Sequence, residues 1–272
     1  TGYGYGNAFS DQAGYDFIIQ ALGGLMSITG PADGEPYKVG VAITDIMTGQ
    51  FAANAILAAL FARERTGDGQ RIDMALFDAQ VAMLANVASN YLVSGKPPRR
   101  FGNAHPNIVP YQTFKASDIY FAIGVGNDSQ WRKLCDAIGK PEWGTDTRYA
   151  KNEARVENRT ELIPLLADVF VSRPAADWIT LLETLGIPGA PINSVDRVFA
   201  DPRVAARRLR IEAEHPTSGM LPMVASPLNI PTAPVQVRYA PPILGEHTDA
   251  ILSEMLGYDE ARIAALRNTN VI

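Results

Sequence analysis

The sequence has little cysteine, scattered histidine and no excess of positive charge, and each shortage excludes a class of protein. Cys135 is the single cysteine, so no intrachain disulfide can form; this fits a reducing compartment, and we expect a cytoplasmic protein. The formal net charge of -5 argues against non-specific nucleic-acid binding, which needs clustered positive charge. His105, His215 and His247 match no ligand spacing, so we expect no metal site.

Three further patterns are missing. No apolar run reaches the ~20 residues of a membrane span, because the most apolar stretch, near 50–62, contains Asn54 and is followed by Arg63. Neither the nucleophile elbow G-x-S-x-G nor the phosphate loop G-x-x-x-x-G-K-[ST] occurs. The segment GVGN at 124–127 resembles a dinucleotide loop but lacks its third glycine. We therefore expect no membrane span, no hydrolase with a nucleophile elbow and no phosphate-loop enzyme. The candidate catalytic groups that remain are carboxylates.

The first third of the chain predicts an α/β arrangement. Short apolar runs bounded by turns alternate there with helical patterns, an order typical of parallel strands with crossover helices. The predicted elements are a helix at 11–22, a strand at 38–43, a helix at 46–65 closed by TGDG, a strand at 70–76 and a helix to about 93.

The remainder predicts a second, smaller α+β domain and a C-terminal segment. A proline-rich loop at 95–112 precedes a β run at 119–126 and helices at 128–138, 158–172 and 175–186. Prolines recur through 199–245, where we expect extended segments and no helices. Residues 244–267 predict two short helices separated at Gly257-Tyr258.

Asp45 is the main candidate nucleophile. It follows the predicted strand 38–43 and opens the next helix, and ligands of parallel sheets gather at the carboxyl ends of strands. A helix N-terminus stabilises negative charge, and an ionised carboxylate can attack an activated acyl carbon. This role requires a cleft beside a side chain that is neither sealed in the core nor turned to open solvent. The alternative is a plain helix cap, since aspartate is a preferred N-cap residue.

Other candidates also have two interpretations. Tyr15 could donate to a developing oxyanion and Asp16 could hold a substrate group or transfer a proton, or the pair could pack an interface and favour a helix start. His105 lies in the loop GNAHPNIVPY, where it is either functional or an ordinary surface histidine. Cys135 is expected to be a small core residue.

Several stretches, in order along the chain, resemble the family III CoA-transferases, which include formyl-CoA:oxalate and carnitine CoA-transferases and α-methylacyl-CoA racemase. These stretches are 13–30, 39–80, 102–114, 186–195 and 241–267. The resemblance implies an incomplete Rossmann-like large domain plus a smaller α+β domain, with two chains interlocked as a homodimer. The implied division is 1–95 for the large-domain part, 96–200 for the small domain, 201–240 for an extended crossover and 241–272 for helices that return to the large domain.

The resemblance also implies an activity: CoA moves from an acyl-CoA to a small carboxylic acid through an aspartyl-CoA thioester. The catalytic aspartate of the family matches Asp45 in AITDIMTG, and its tyrosine–acid pair matches Tyr15 and Asp16. Candidate residues of a substrate loop are Gly102, His105 and Asn107, and candidate contacts of coenzyme A are Gly40, Gly124 and Gly126.

Two alternatives to this activity stay open: an acyl-CoA racemase of the same fold and a non-catalytic module. Racemase members have a histidine base where this chain has Tyr15, and a neutral phenol is a poor base at neutral pH. Oxalate-using members have a glycine-rich loop where this chain has residues 105–109, which suggests a larger acceptor acid. The chain begins at Thr1, and we expect that the family's N-terminal third is missing, which leaves a non-catalytic module as the second alternative.

Overall fold

A computed structural model describes all 272 residues, which form two compact units, Thr1–Ile192 and Asn193–Ile272. The first unit begins with five helices. These are α1 (Asp16–Leu22), α2 (Leu25–Ile28), α3 (Ile43–Thr66), α4 (Leu76–Met83) and α5 (Ala85–Ser94). The long helix is confirmed with its glycine end, since Gly67 has φ +81 and its N–H bonds to the Arg63 carbonyl. The first helix begins at Asp16 and not at Asp11.

The two strands predicted at 38–43 and 70–76 are absent. Both segments run without a sheet partner, and strand assignment needs backbone pairing that an apolar sequence alone does not supply. At the end of the second segment, two backbone hydrogen bonds join Thr1 to the residues on either side of Ala75. The Thr1 amino group donates to the Met74 carbonyl, and the Leu76 N–H donates to the Thr1 carbonyl. This arrangement around Ala75 is of the parallel type, and it extends over a single residue. The predicted parallel layering is therefore not found within this chain.

A three-stranded antiparallel sheet forms the second half of this unit. Its strands are β1 (Tyr111–Lys115), β2 (Tyr120–Gly124) and β3 (Gly189–Pro191), with β2 in the centre. In register, Thr113 faces Ala122 and Ala122 faces Ala190. The helices are α6 (Asp128–Ala137), a 3-10 turn (Pro141–Gly144), α7 (Asn152–Glu157), α8 (Arg159–Phe170) and α9 (Ala175–Thr184). The predicted β run and the helices near 128–138, 158–172 and 175–186 are confirmed.

The main hydrophobic core lies between one face of this sheet and its helices. Phe170 of α8 is fully buried and contacts three aromatic rings, those of Phe114, Phe121 and Trp178, at centroid distances of 4.9, 5.3 and 5.1 Å. Such tilted and edge-on pairs add to the free energy of burial. Cys135 lies in the same core, where burial raises the pKa of its thiol to about 12, so the expected core role is confirmed.

The second unit combines short helices with a hairpin. It consists of α10 (Val195–Ala200), α11 (Pro202–Ala206), β4 (Arg210–His215), β5 (Gly219–Val224), α12 (Thr248–Leu256) and α13 (Glu260–Asn268). The expectation of no helix in 199–245 is wrong at its start, because Pro202 occupies the first turn of α11 and the Asp201 carboxylate accepts the Arg203 N–H. The helix break near Gly257 is confirmed. The predicted four-part division of the chain stays a prediction.

Helix α3 carries an exposed apolar surface. The side chains of Ile46, Phe51, Leu57 and Phe61 are exposed by 38 to 64%. By length and composition alone, with a mean hydropathy of 1.3, the helix could cross a membrane, and core helices of soluble proteins pass the same test. The predicted absence of a membrane span therefore stays a prediction.

Candidate active site

Asp45 is the third residue of α3 and has an exposed side chain. It is not the helix cap: Ala42 holds that position and contributes no side-chain hydrogen bond. The plain capping interpretation is therefore wrong, although the first turn still stabilises a negative charge there. Asp45 lines none of the four cavities at Phe101, at the β1–β2–β3 sheet, at α12–α13 and at His247. Within this chain its carboxylate faces solvent, so the condition stated above for a nucleophile is not met by this chain alone. The role of Asp45 is retained as a proposal in which a second chain of the predicted homodimer supplies the cleft.

The missing cap of α3 is supplied by Asp16, from the start of α1. One carboxylate oxygen of Asp16 accepts the Thr44 N–H at 2.9 Å, and the other accepts the Gln20 side-chain amide at 2.7 Å. Free N–H groups in a first helical turn need such acceptors. The bond from Thr44 places Asp16 beside the residue that precedes Asp45. The structure thus brings the predicted pair Tyr15-Asp16 and Asp45 to one place.

A buried polar network supports this junction. Thr44, Gln20 and Gln80 are fully buried, and the Thr44 hydroxyl donates to the Gln80 side-chain carbonyl at 2.6 Å. The side-chain carbonyl of Gln20 accepts the Val39 N–H at 2.9 Å and so ties the segment before α3 to α1. Because buried polar groups are costly unless they are paired, these bonds favour one position of the helix start, although the Gln80 Nε2 atom has no partner within the chain. Sequence analysis missed this role of Gln20 and Gln80, since an isolated glutamine in a helical pattern carries no positional signal.

Tyr15 caps α1 with extended backbone, and its side chain is 74% exposed. Its hydroxyl group makes no hydrogen bond within the chain, and its carbonyl accepts the Ile19 N–H at 2.9 Å. The phenol is therefore available to an external partner, either a substrate or another protein surface, and both interpretations stay open.

The loop residues predicted at 102–107 form their own structure. The His105 Nδ1 accepts the Asn107 N–H at 3.0 Å, and its ring lies 5.4 Å from that of Tyr111. The Asn107 carbonyl accepts from the Asn152 side chain, and the Gly102 N–H, at φ +61, donates to the Gly30 carbonyl. No hydrogen bond joins these three residues to Tyr15, Asp16 or Asp45. Their role as a substrate loop stays a prediction.

The candidate coenzyme A glycines lie in different surroundings. Gly40 precedes α3 in open space, since an added Cβ atom would meet nothing within 4 Å. Gly124 ends β2 under the Tyr111 ring, 3.0 Å from the position of such an atom. The Gly126 N–H donates to the Gln130 side chain at 2.8 Å. No hydrogen bond links Gly40 to the other two, and their assignment stays a prediction.

Substitutions of Asp16 test its role as the cap of α3. We expect Asp16→Ala to remove the cap and to lower the free energy of unfolding by about 1–2 kcal/mol. Asp16→Asn keeps an acceptor for the Thr44 N–H and should retain most of the stability. Thermal unfolding of the two variants and the wild type measures the difference. Equal loss of stability in both variants would contradict the capping role.

The profile of CoA-transferase family III matches residues 1–248. The chain belongs to this family, and the resemblance inferred from its sequence is confirmed.

Two curated relatives and one solved structure show how far the similarity extends. The chain is 44% identical to a succinate–glutarate CoA-transferase of Agrobacterium fabrum over 94% of its length and 64% of the relative's. It is also 44% identical to a succinyl-CoA:glutarate CoA-transferase of Mus musculus, over all of its length and 62% of the relative's. The crystal structure of a CAIB/BAIF family protein from Brucella suis matches with a TM-score of 0.79 and 46% identity, over 94% of this chain and 66% of that one.

The mixed helix-and-sheet fold is thus that of the family's solved structures. The chain spans about three-fifths of the length of the curated relatives it matches.

Proposed function

We propose that the protein containing this chain transfers coenzyme A from an acyl-CoA to a carboxylic acid, with Asp45 as the nucleophile. Family membership carries the proposal, since curated relatives bear the names of CoA-transferases. Asp45 adds chemical support: it is an exposed carboxylate in the first turn of α3, at a helix start that Asp16 and Thr44 hold in place.

The proposed reaction uses the carboxylate twice. An oxygen of Asp45 attacks the thioester carbon of the donor, and the C–S bond breaks. CoA departs as a thiolate, and the donor acyl group is now joined to Asp45 in a mixed anhydride. The thiolate then attacks the aspartyl carbon and releases the donor acid, which leaves CoA bound to Asp45 as a thioester. The acceptor carboxylate attacks this thioester, and the same steps in reverse give the new acyl-CoA and free Asp45. Splitting the exchange into steps of similar bond energy is the advantage of covalent catalysis.

Groups around Asp45 have supporting roles in this scheme. The negative charge that develops on the carbonyl oxygens needs fixed donors. The N–H groups of Ile43, Thr44 and Ile46 already have acceptors within the chain, so the Tyr15 hydroxyl is the suitable donor. The anhydride and the thioester must be kept from water, a task that suits the loop 102–110 if it closes over the site. The homodimer and the cytoplasmic location belong to the same proposal.

We propose short aliphatic dicarboxylic acids, such as succinate and glutarate, as the donor and acceptor acids. The two curated relatives described above are named for these acids. The proposal agrees with the loop at His105-Pro106-Asn107, which differs from the glycine-rich loop of oxalate-using members.

Chemical trapping tests the intermediate. After incubation with succinyl-CoA, hydroxylamine should convert the activated carboxyl of Asp45 to a hydroxamate, which peptide mass spectrometry detects at that residue. Protein treated with hydroxylamine but no acyl-CoA is the control. Active transfer to glutarate with no label on Asp45 would contradict the proposal. Deuterium exchange at the α-carbon of an acyl-CoA, with no acceptor acid present, would instead support the racemase alternative.

A further inference from the structure

One stretch of this acidic protein carries only positive charge. Between Asp78 and Asp118 the sequence contains no acidic residue but four cations, Lys96, Arg99, Arg100 and Lys115. The net charge of the whole chain is -5, so the positive charge of this stretch is opposite in sign to that of the protein. Three of the four cations fall within Lys96–Arg100, which connects α5 to the loop before β1. A local positive field of this kind attracts anionic ligands.

The same segment borders a cavity of roughly 190 Å³, here termed the Phe101 cavity. Its walls are mostly apolar, and Lys96 and Arg99 contribute the cationic part. The apolar lining residues include Ile28, Val87, Tyr91, Pro98, Phe101 and Pro106. Cavities that combine an apolar lining with a few polar groups are typical of small-molecule sites.

The cations around Phe101 have no carboxylate partners. Arg99 and Arg159 lie on the same ring, with guanidinium carbons 4.8 and 5.2 Å from its centroid. Neither forms an ion pair with any acidic residue of the chain. Burial, and then the charge of Arg99, lowers the pKa of Arg159, as expected for two like charges held close together.

The three cations of the segment Lys96–Arg100, together with Arg159 of α8, divide into two kinds. Arg159 donates to the His105 and Pro106 carbonyls at 3.0 and 2.9 Å, and Arg100 donates to the Pro31 and Gly34 carbonyls at 3.1 and 2.7 Å. These two arginines hold the loop in shape. The side chains of Arg99 and Lys96 are exposed and donate to no acceptor within the chain, so their donors are free for a ligand.

We infer that the Phe101 cavity binds an organic anion, whose carboxylate or phosphate group accepts hydrogen bonds from Arg99 and Lys96 while its apolar part enters between Tyr91 and Phe101. A bound oxyanion would neutralise charges that the protein itself leaves unpaired. Arginine suits this task because its planar donors match the oxygens of both groups.

Calorimetry on the purified protein tests the site with defined probes: glutarate, inorganic phosphate, coenzyme A and dephospho-coenzyme A. We expect Arg99→Ala to raise the Kd of at least one probe about tenfold, the loss expected for one charge-assisted contact. Arg65→Ala is the matched control, because Arg65 is also exposed and lies 4.3 Å from the centroid of the Phe61 ring but outside the cavity. Lys96→Ala should weaken the same probe as Arg99→Ala.

The pattern of losses identifies the ligand. Weaker glutarate binding assigns the site to a carboxylate, whereas weaker coenzyme A binding with unchanged dephospho-coenzyme A binding assigns it to a phosphate. The inference is overturned if no probe binds, if Arg99→Ala changes no Kd, or if Arg65→Ala has the same effect. The titrations are repeated with Asp45→Ala protein, because binding at this cavity does not depend on the proposed nucleophile. A failed transfer mechanism and a failed anion site therefore give different results.

Discussion

Replacing Asp45 with alanine is expected to reduce CoA transfer by roughly a thousandfold or more, because in the proposed mechanism the reaction loses the atom that forms the covalent intermediate. Transfer from succinyl-CoA to glutarate, followed by chromatography of the acyl-CoA products, measures the change. Binding of coenzyme A should change much less, since the carboxylate acts on the thioester and not on the nucleotide. Asp45→Asn keeps the shape of the side chain, and we expect it to be about as inactive as Asp45→Ala.

Asp78→Ala is a closely matched control for this experiment. Asp78 is the third residue of α4, as Asp45 is of α3, and both side chains are exposed. Both substitutions remove one negative charge from a first helical turn, a change of typically less than about 1 kcal/mol in stability. Asp78→Ala protein should therefore keep its activity. Transfer near the wild-type rate in Asp45→Ala protein would remove the basis of the proposed mechanism.

Replacing Arg155 with alanine is expected to cost about 3–5 kcal/mol of folding free energy, the range for breaking a buried charge network. The Arg155 side chain is fully buried and donates to the Val109 carbonyl at 2.6 Å, the Tyr149 carbonyl at 2.9 Å and the Asp128 carboxylate at 3.1 Å. Its loss would leave the two carbonyls without this donor and a space above the Trp131 ring, while Asp128 would keep Lys151, at 3.5 Å, as an ion-pair partner. Urea unfolding monitored by tryptophan fluorescence measures the loss.

Arg148→Ala provides the comparison for Arg155. Arg148 also has carboxylate partners, Asp146 and Glu161, but its side chain is 52% exposed. Exposed ion pairs typically contribute less than about 1 kcal/mol, so this variant should unfold close to the wild type. If the two arginine variants lost stability equally, burial would not be the reason why Arg155 matters. A further expected result is faster proteolysis of the loop 102–110 in the Arg155 variant, since Val109 loses its anchor.

Local sequence patterns were sufficient for α3 and for the glycine ends of helices. They did not predict the break near Leu84, where the predicted helix to about 93 divides into α4 and α5 and Ala85 has φ +47. The length of α3, its glycine end and the break at Gly257 follow from apolar content and from residues that favour positive φ, which act within a few positions. The apolar runs at 38–43 and 70–76 were misjudged for the opposite reason. A short apolar run is compatible with a strand, but a strand exists only where another backbone lies beside it.

In the candidate site, too, features set by neighbouring residues were predicted, and features that depend on residues far away in the sequence were not. Asp45 was identified from its position after an apolar run and from the family resemblance. The cap that fixes it was not identified, because Asp16 and Thr44 are separated by 28 positions and nothing in either neighbourhood announces the bond. Arg155 was missed for a related reason: an arginine in a short helical segment normally indicates a solvated surface, and its burial depends on carbonyl groups elsewhere in the fold.

Gly23 makes the geometry around Asp45 sensitive to a residue without a side chain. A methyl group at this position would come within 2.3 Å of Gln80 Cγ, although the backbone φ of -81 is acceptable for any residue. The obstacle is space, so an alanine there would push Gln80 away from the Thr44 hydroxyl at the start of α3. Variation at position 23, which no inspection of candidate catalytic groups would single out, is thus coupled to the position of the carboxylate that we propose as the nucleophile.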